Sequence, residues 1–161
     1  MLGILDDVKV IEVGDYLGGA FCAKLLADQG ADTLKIETPI KGDPSRHEPP
    51  FIGGTKHIEK SSVFLAYNTN KKSVTLNLGM ASGVQLFLRL VEDIDVVVDG
   101  FPVGYLESLG LGYEILKARN SRLILTSVSP FGSTGPYKDY LSSDLIEQAM
   151  GGHLITGGDI D

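Results

Sequence analysis

The sequence predicts an α/β fold built around a doubly wound, mostly parallel sheet. Two observations carry the prediction. Short apolar runs of strand length recur along the chain, and the stretches between them place their apolar residues on one helical face. The first such set, a strand, a helix and a second strand within about 30 residues, is a βαβ unit, whose crossover makes its two strands parallel.

In chain order, Val8, Val10, Ile11 and Val13 form a run that ends at Gly14 and reads as a strand buried on both faces. Phe21, Cys22, Leu25 and Leu26 then fall on one side of a helix, which Gly30 closes as a C-cap would. Asp32 to Glu37 is the second strand. From Thr38 to Ser61 the chain is rich in Pro, Gly, Lys and His and has no sustained period, which predicts a long excursion from the core; such loops are usually functional or disordered. Order resumes over Ser62 to Tyr67. Ser73 to Leu78 alternates Val74, Leu76 and Leu78 with Thr75 and Asn77 and predicts a strand. Val84, Phe87, Leu88 and Val91 mark a helix, Asp95 to Asp99 a strand, and Leu106 to Asn120 one or two short helices broken at Gly110 and Gly112. Arg122 to Val128 is the next strand, Ser129 to Ser143 a loop, and Asp144 to Met150 the start of a helix. This alternation is that of a doubly wound sheet.

Composition narrows the function. A chain of 161 residues with 43% hydrophobic and 22% charged residues is ordinary for one globular domain. Its apolar runs fall short of the roughly 20 residues of a membrane helix, and the start Met1-Leu2-Gly3-Ile4-Leu5-Asp6-Asp7 has no basic leader region, so a cytoplasmic protein without a membrane span is expected. The net charge of −7 argues against a nucleic-acid partner, but not against one polyanionic small ligand held in a local pocket. Cys22 is the only cysteine and reads as a small buried hydrophobe. His47, His57 and His153 have no metal-ligand spacing with any carboxylate cluster, so no metal is expected.

In open α/β sheets ligands gather beyond the C-terminal ends of the strands, and the turn after the first strand is Gly14-Asp15-Tyr16-Leu17-Gly18-Gly19. Its glycines allow close backbone approach, and the following helix start offers free N–H groups to an anion. The spacing is not that of a dinucleotide fingerprint, although Glu37 ends the second strand where such a domain holds its ribose-binding acid. A nucleotide-type ligand and a plain tight turn both satisfy this segment. Lys71 and Lys72, with Asn68 and Asn70 before them, form either a solvated turn or an anion site. Arg46, in the long loop, is either an exposed loop arginine or a paired phosphate contact. Asp144 reads as a helix-start aspartate. Ser127 and Ser129 lack the context of a serine nucleophile.

Several segments together resemble family III CoA-transferases, the CaiB/BaiF group, and the related 2-methylacyl-CoA racemases. They are Phe21 to Asp32 running into Lys35-Ile36-Glu37, Gly42-Asp43 with Arg46, Asn68 to Val74, Leu109 to Glu114, Gly132 to Tyr137, and Asp144 with Gln148 to Gly152 and Thr156-Gly157. Their order and spacing along one chain carry the resemblance, which covers essentially the whole chain as the N-terminal part of the family's length. It implies a Rossmann-like domain over residues 1–161, incomplete relative to the family, with coenzyme A as ligand. The implied reaction moves CoA from an acyl-CoA to a carboxylic acid through anhydride and thioester intermediates on an aspartate. The implied assembly is an interlocked homodimer, or a complex with a separate C-terminal chain.

By the same resemblance, CoA contacts are expected from Tyr16, Leu17, Thr38, Lys71, Lys72, Gly100, Phe101 and Tyr105. Where the family usually reads Asn-Phe-Arg-Pro-Gly, this chain has Gly100-Phe101-Pro102-Val103-Gly104, and Ser108 replaces the arginine before Leu109-Gly110. Two cations are thus missing, so either CoA is held more weakly or phosphate recognition falls to Arg46, Lys71 and Lys72. The family's nucleophilic aspartate lies beyond the Thr-Gly matched by Thr156-Gly157. Asp159 and Asp161 come too early for it and Asp144 matches another position, so no catalytic residue is assigned and the isolated chain is expected to be inactive. Ser143 stands where the racemases place an acid–base histidine, which favours transferase over racemase. A non-catalytic CoA-binding or partner-binding protein is the alternative from another class, and a nicotinamide oxidoreductase is the most distant one.

Overall fold

The structure, a computed structural model, describes residues 3–15 and 17–157. The chain divides into two compact units, residues 1–129 and 130–161. In the first, the strands among the described residues are β1 (Lys9–Gly14), β2 (Asp32–Glu37), β3 (Lys71–Thr75), β4 (Val96–Gly100) and β5 (Ile124–Ser127). They form one sheet of order β3-β2-β1-β4-β5, and every pairing is parallel. The expected doubly wound α/β architecture is thus the observed one. Chain order reverses between β1 and β4, the place where such sheets open a crevice beyond their strand ends.

The helices of this unit are α1 (Leu17–Asp28), α2 (Ser62–Asn68), α3 (Ala81–Val91), α4 (Tyr105–Ser108) and α5 (Tyr113–Arg119). The two faces of the sheet differ in kind. On one, Ile11, Val13, Ile36 and Val97 pack against Phe87, Leu88 and Val91 of α3, Leu106 of α4 and Leu116 of α5, a dry apolar layer. On the other, Val10 and Val98 meet Ala23 of α1 and Ala31, and the apolar layer is thin. Beside it on that face lie Glu12 and Lys35, paired in register on β1 and β2 and both buried.

α1 begins at Leu17, four residues ahead of the apolar pair that announces it. Its first turns are small residues, with Gly19 and Ala20 buried. A Cβ on Gly19 would stand 3.0 Å from Gly100 Cα, so the helix start lies close against the end of β4.

β3 begins at Lys71 rather than Ser73 and ends at Thr75 rather than Leu78. Asn70 takes a left-handed φ of 63° and turns α2 directly into the strand, a conformation Asn tolerates. The strand stops because its partner β2 stops: Thr75 is paired with Glu37, after which β2 leaves the sheet. Between β2 and α2 runs the long loop, with short 3₁₀ turns at Pro44–His47 and Ile52–Gly54 and one antiparallel bridge from Phe51 to Ser61.

In the second unit α6 (Asp144–Met150) starts where the sequence places it and is followed by a 3₁₀ turn at His153–Thr156. Phe131, Tyr137 and Tyr140 form an aromatic cluster with ring centroids 5.3 to 6.4 Å apart. No helix among the described residues is long and apolar enough to cross a membrane.

Candidate functional site

Four consecutive strand ends build a cleft of about 360 Å³ at the C-terminal edge of the sheet. β1 contributes Gly14 and Asp15, β2 Glu37 and Thr38, β3 the residues Leu76 to Gly79, and β4 Phe101, Pro102 and Tyr105. Gly14 is required here, because its φ is 106° and a Cβ would stand 2.2 Å from the Gly100 carbonyl carbon. Asp15 N–H then donates to Gly100 O at 3.2 Å, tying the two strand exits together. The Phe101 and Tyr105 rings lie 4.8 Å apart and form an aromatic wall. Phe101 is held by its own turn, since its N–H donates to the buried Asp99 carboxylate at 2.9 Å and Ser127 Oγ donates to the same group at 3.2 Å. Burial pushes the Asp99 carboxyl up, against these two donors.

A second, open cavity of about 360 Å³ shares Asp15 and Thr38 with the cleft and is bounded by Lys41, Gly42, Pro44 and His47 of the long loop. Partial burial and the charge of Asp43 raise the Asp15 carboxyl, with Lys35 opposing.

A buried set of charges joins β1, β2 and β3 to the long loop. Glu12 accepts from Lys35 Nζ at 2.5 Å and from Lys71 Nζ at 2.6 Å, and Lys35 Nζ also meets Asp43 Oδ2 at 2.6 Å. Burial would lower the Lys35 ammonium, but Glu12 and Asp43 outweigh it and hold it above the usual lysine value. For Lys71 burial prevails over Glu12 and the ammonium is lowered. Glu37 takes two hydrogen bonds from Arg46, at 2.7 and 2.8 Å, one from Ser73 Oγ at 2.5 Å and one from Asp43 N–H at 2.8 Å. Burial acts to raise its carboxyl, yet these donors bring it down to about 2.

The structure brings some of the expected contact residues together and separates others. Thr38, Phe101 and Tyr105 line the cleft, whereas Gly100 is buried, pairs with Gly14 and does not line it. Leu17 opens α1 and is exposed; Tyr16 lies outside the described residues. Arg46 lines neither cavity. Its guanidinium is held by Glu37, reaches Glu59 at 2.9 Å and stacks 3.6 Å over Phe64. Lys71 is buried against Glu12, the Ala20 carbonyl and Asn68. Lys72 pairs with Asp32, the first residue of β2, at 2.6 Å. That places it at the N-terminal edge, roughly 13 Å of strand rise from Leu76.

Asp144 is the first residue of α6, and its carboxylate accepts from Gln148 at 2.7 Å. Cys22 is partly buried against the smaller apolar layer, and burial raises its thiol. The sequence reading missed Leu76 to Gly79 as cleft residues because their alternation was absorbed into a strand. The available signal was Asn77 with Gly79, a turn pair whose Asn side chain accepts from Gly79 N–H at 3.0 Å.

The model of CoA-transferase family III matches residues 5–161. The chain belongs to that family. A succinyl-CoA–D-citramalate CoA-transferase from Chloroflexus aurantiacus is 45% identical over 154 residues, which are 95% of this chain and 37% of that protein. A succinyl-CoA–L-malate CoA-transferase alpha subunit from the same organism is 40% identical over 134 residues, 83% of this chain and 31% of its own length. The crystal structure of a CaiB/BaiF family protein from Brucella suis superposes with a TM-score of 0.84 at 40% identity, covering 94% of this chain and 40% of that one. The chain thus spans about two fifths or less of these family members, as their N-terminal part.

Proposed function

We propose that residues 1–161 are the CoA-binding part of an acyl-CoA:carboxylate CoA-transferase, with the cleft at the C-terminal edge of the sheet as the CoA site. The observation that carries this reading is the cleft itself, spanning four parallel strand ends in a member of this family. Gly14 lets β1 and β4 leave the sheet side by side beneath the ligand, and the start of α1 presents N–H groups suited to a phosphate. The Phe101–Tyr105 wall offers a stacking surface to a base.

Of the expected contacts, Thr38, Phe101 and Tyr105 then form the site, with buried Gly100 supporting the strand exit behind Phe101. Lys71, Lys72 and Arg46 serve the fold around it. Two relatives act on succinyl-CoA, and a dicarboxylic acyl group is accordingly the donor class favoured, with a carboxylic acid as acceptor and the cytoplasm as setting. A second chain or a further stretch of this one supplies the nucleophilic aspartate.

Calorimetry with CoA tests the site. Tyr105→Ala is expected to weaken binding by about 1 kcal/mol or more through loss of stacking, while Lys72→Ala leaves it unchanged. Equal affinity of the Tyr105 variant and the parent, or an absence of CoA binding by the parent, overturns the reading.

A further inference from the structure

We propose that Glu12, Lys35, Asp43 and Lys71 form a latch that fixes the loop 38–61 to the sheet, and that Asp43 is the positioning residue through which it holds the loop wall of the second cavity, which adjoins the cleft at Asp15 and Thr38. From residue 38 to residue 60 only Asp43 and Ser45 are buried, so the loop has no apolar anchor of its own. Asp43 makes the connection in both directions. Its Oδ2 meets Lys35 on β2, its N–H donates to Glu37 at the end of β2, and its Oδ1 accepts from Ser45 N–H at 2.8 Å and from Ser45 Oγ. Gly42 and Pro44, its two neighbours, line the second cavity.

The charges of the latch balance, two carboxylates against two ammoniums. No buried side-chain nitrogen or oxygen among the described residues lacks a partner, so the set is complete without a ligand. Arg46 adds a second clasp from the next turn, to Glu37.

The turn between Thr38 and Asp43 needs such a hold. Ile40 is fully exposed at a φ of 71°, a left-handed conformation that a β-branched residue rarely takes, and no burial of its side chain offsets it. The opposite face of the same sheet is dry and apolar, and buried ion pairs are seldom more stabilising than apolar packing of similar volume. What they do supply is direction. A polar loop can be held in one place by charge where it has no apolar surface to bury.

The part of this proposal that concerns ligand binding rests on the reading of the cleft as a CoA site, and the test separates the two. Hydrogen exchange of the 161-residue chain without ligand is compared for the parent and Asp43→Asn. Amides of Gly42 to Glu48 are expected to exchange at least tenfold faster in the variant, with those of Val10 to Val13 and of Val97 and Val98 unchanged. Unaltered loop exchange, or equal loss of protection in β1 and β4, overturns the latch. Lys35→Met with Asp43→Asn keeps the remaining Glu12–Lys71 pair balanced and serves where the single variant does not fold. Its loop is expected to exchange as fast as that of Asp43→Asn, and parent-like protection there refutes the proposal. With CoA as probe, Asp43→Asn is expected to bind at least tenfold more weakly. A loosened loop with unchanged CoA affinity removes Asp43 as a positioning residue. Failure of the parent to bind CoA defeats the functional reading alone and leaves the exchange result to decide the latch.

Discussion

Arg46 illustrates how a residue that invites a phosphate can belong to the fold. Its Nε and Nη2 donate to the two carboxylate oxygens of Glu37, its Nη1 reaches Glu59 and its plane covers Phe64, so one side chain joins β2, the long loop and α2. The depressed Glu37 carboxyl states the same coupling in terms of protons. Its contribution is fully present above its ordinary value of 4.5 and is lost as pH falls toward about 2. Glu37→Gln strands a largely buried arginine and is expected to cost about 2–3 kcal/mol in urea unfolding at pH 7. Because the variant lacks this titration, the difference between the two proteins should narrow between pH 4.5 and 2. A constant difference across that range would show that Glu37 is not the group responsible.

At the scale of elements, the cleft depends on how abruptly β1 and β4 leave the sheet. Gly14→Ala places a methyl against the Gly100 carbonyl and forces an L-residue into a left-handed backbone, and it is expected to destabilise by at least about 2 kcal/mol in thermal or urea unfolding. A smaller loss would mean that the two exits can separate. The elements themselves were largely legible. β2 and α6 fall where their residues predict, and α3 and β4 shift by only a few positions, because apolar period and flanking Gly or Asn record local preference. β3 was displaced because its length is set by its partner, information that lies 38 residues away in Glu37 rather than in Val74 or Leu76. The charged layer went unread for a related reason. Glu12 between Ile11 and Val13, and Lys35 between Leu34 and Ile36, were charges inside buried strands, a signal that they must pair; which partners they find is fixed only when Asp43 and Lys71 arrive from elsewhere. Of the cleft, the glycine turn and Phe101 with Tyr105 could be anticipated, whereas Leu76 to Gly79 were announced only by the Asn77 and Gly79 turn pair.

For the whole molecule, exposed apolar residues remain in both units. Phe21 and Leu25 of α1 are about half exposed, and Leu145, Met150 and Ile155 lie open in the second unit. Surface of this kind finds a partner, so light scattering of the concentrated chain is expected to show a dimer or higher oligomer; a monomer at high concentration would count against it. Incubated alone with succinyl-CoA, the chain is expected to give no turnover and no hydroxylamine-trapped carboxylate by mass spectrometry. Trapping on Asp144 with turnover would place the nucleophile among these residues. The unlike faces of the sheet also bear on how the sequence can change over generations. The dry face can drift one residue at a time, since exchanging one aliphatic for another of similar volume costs little. The charged face cannot. Replacing Lys35 alone leaves Asp43 without its ammonium, and replacing Glu12 alone leaves Lys71 without its carboxylate, so lineages should lose these charges in balanced pairs, 35 with 43 or 12 with 71, rather than singly.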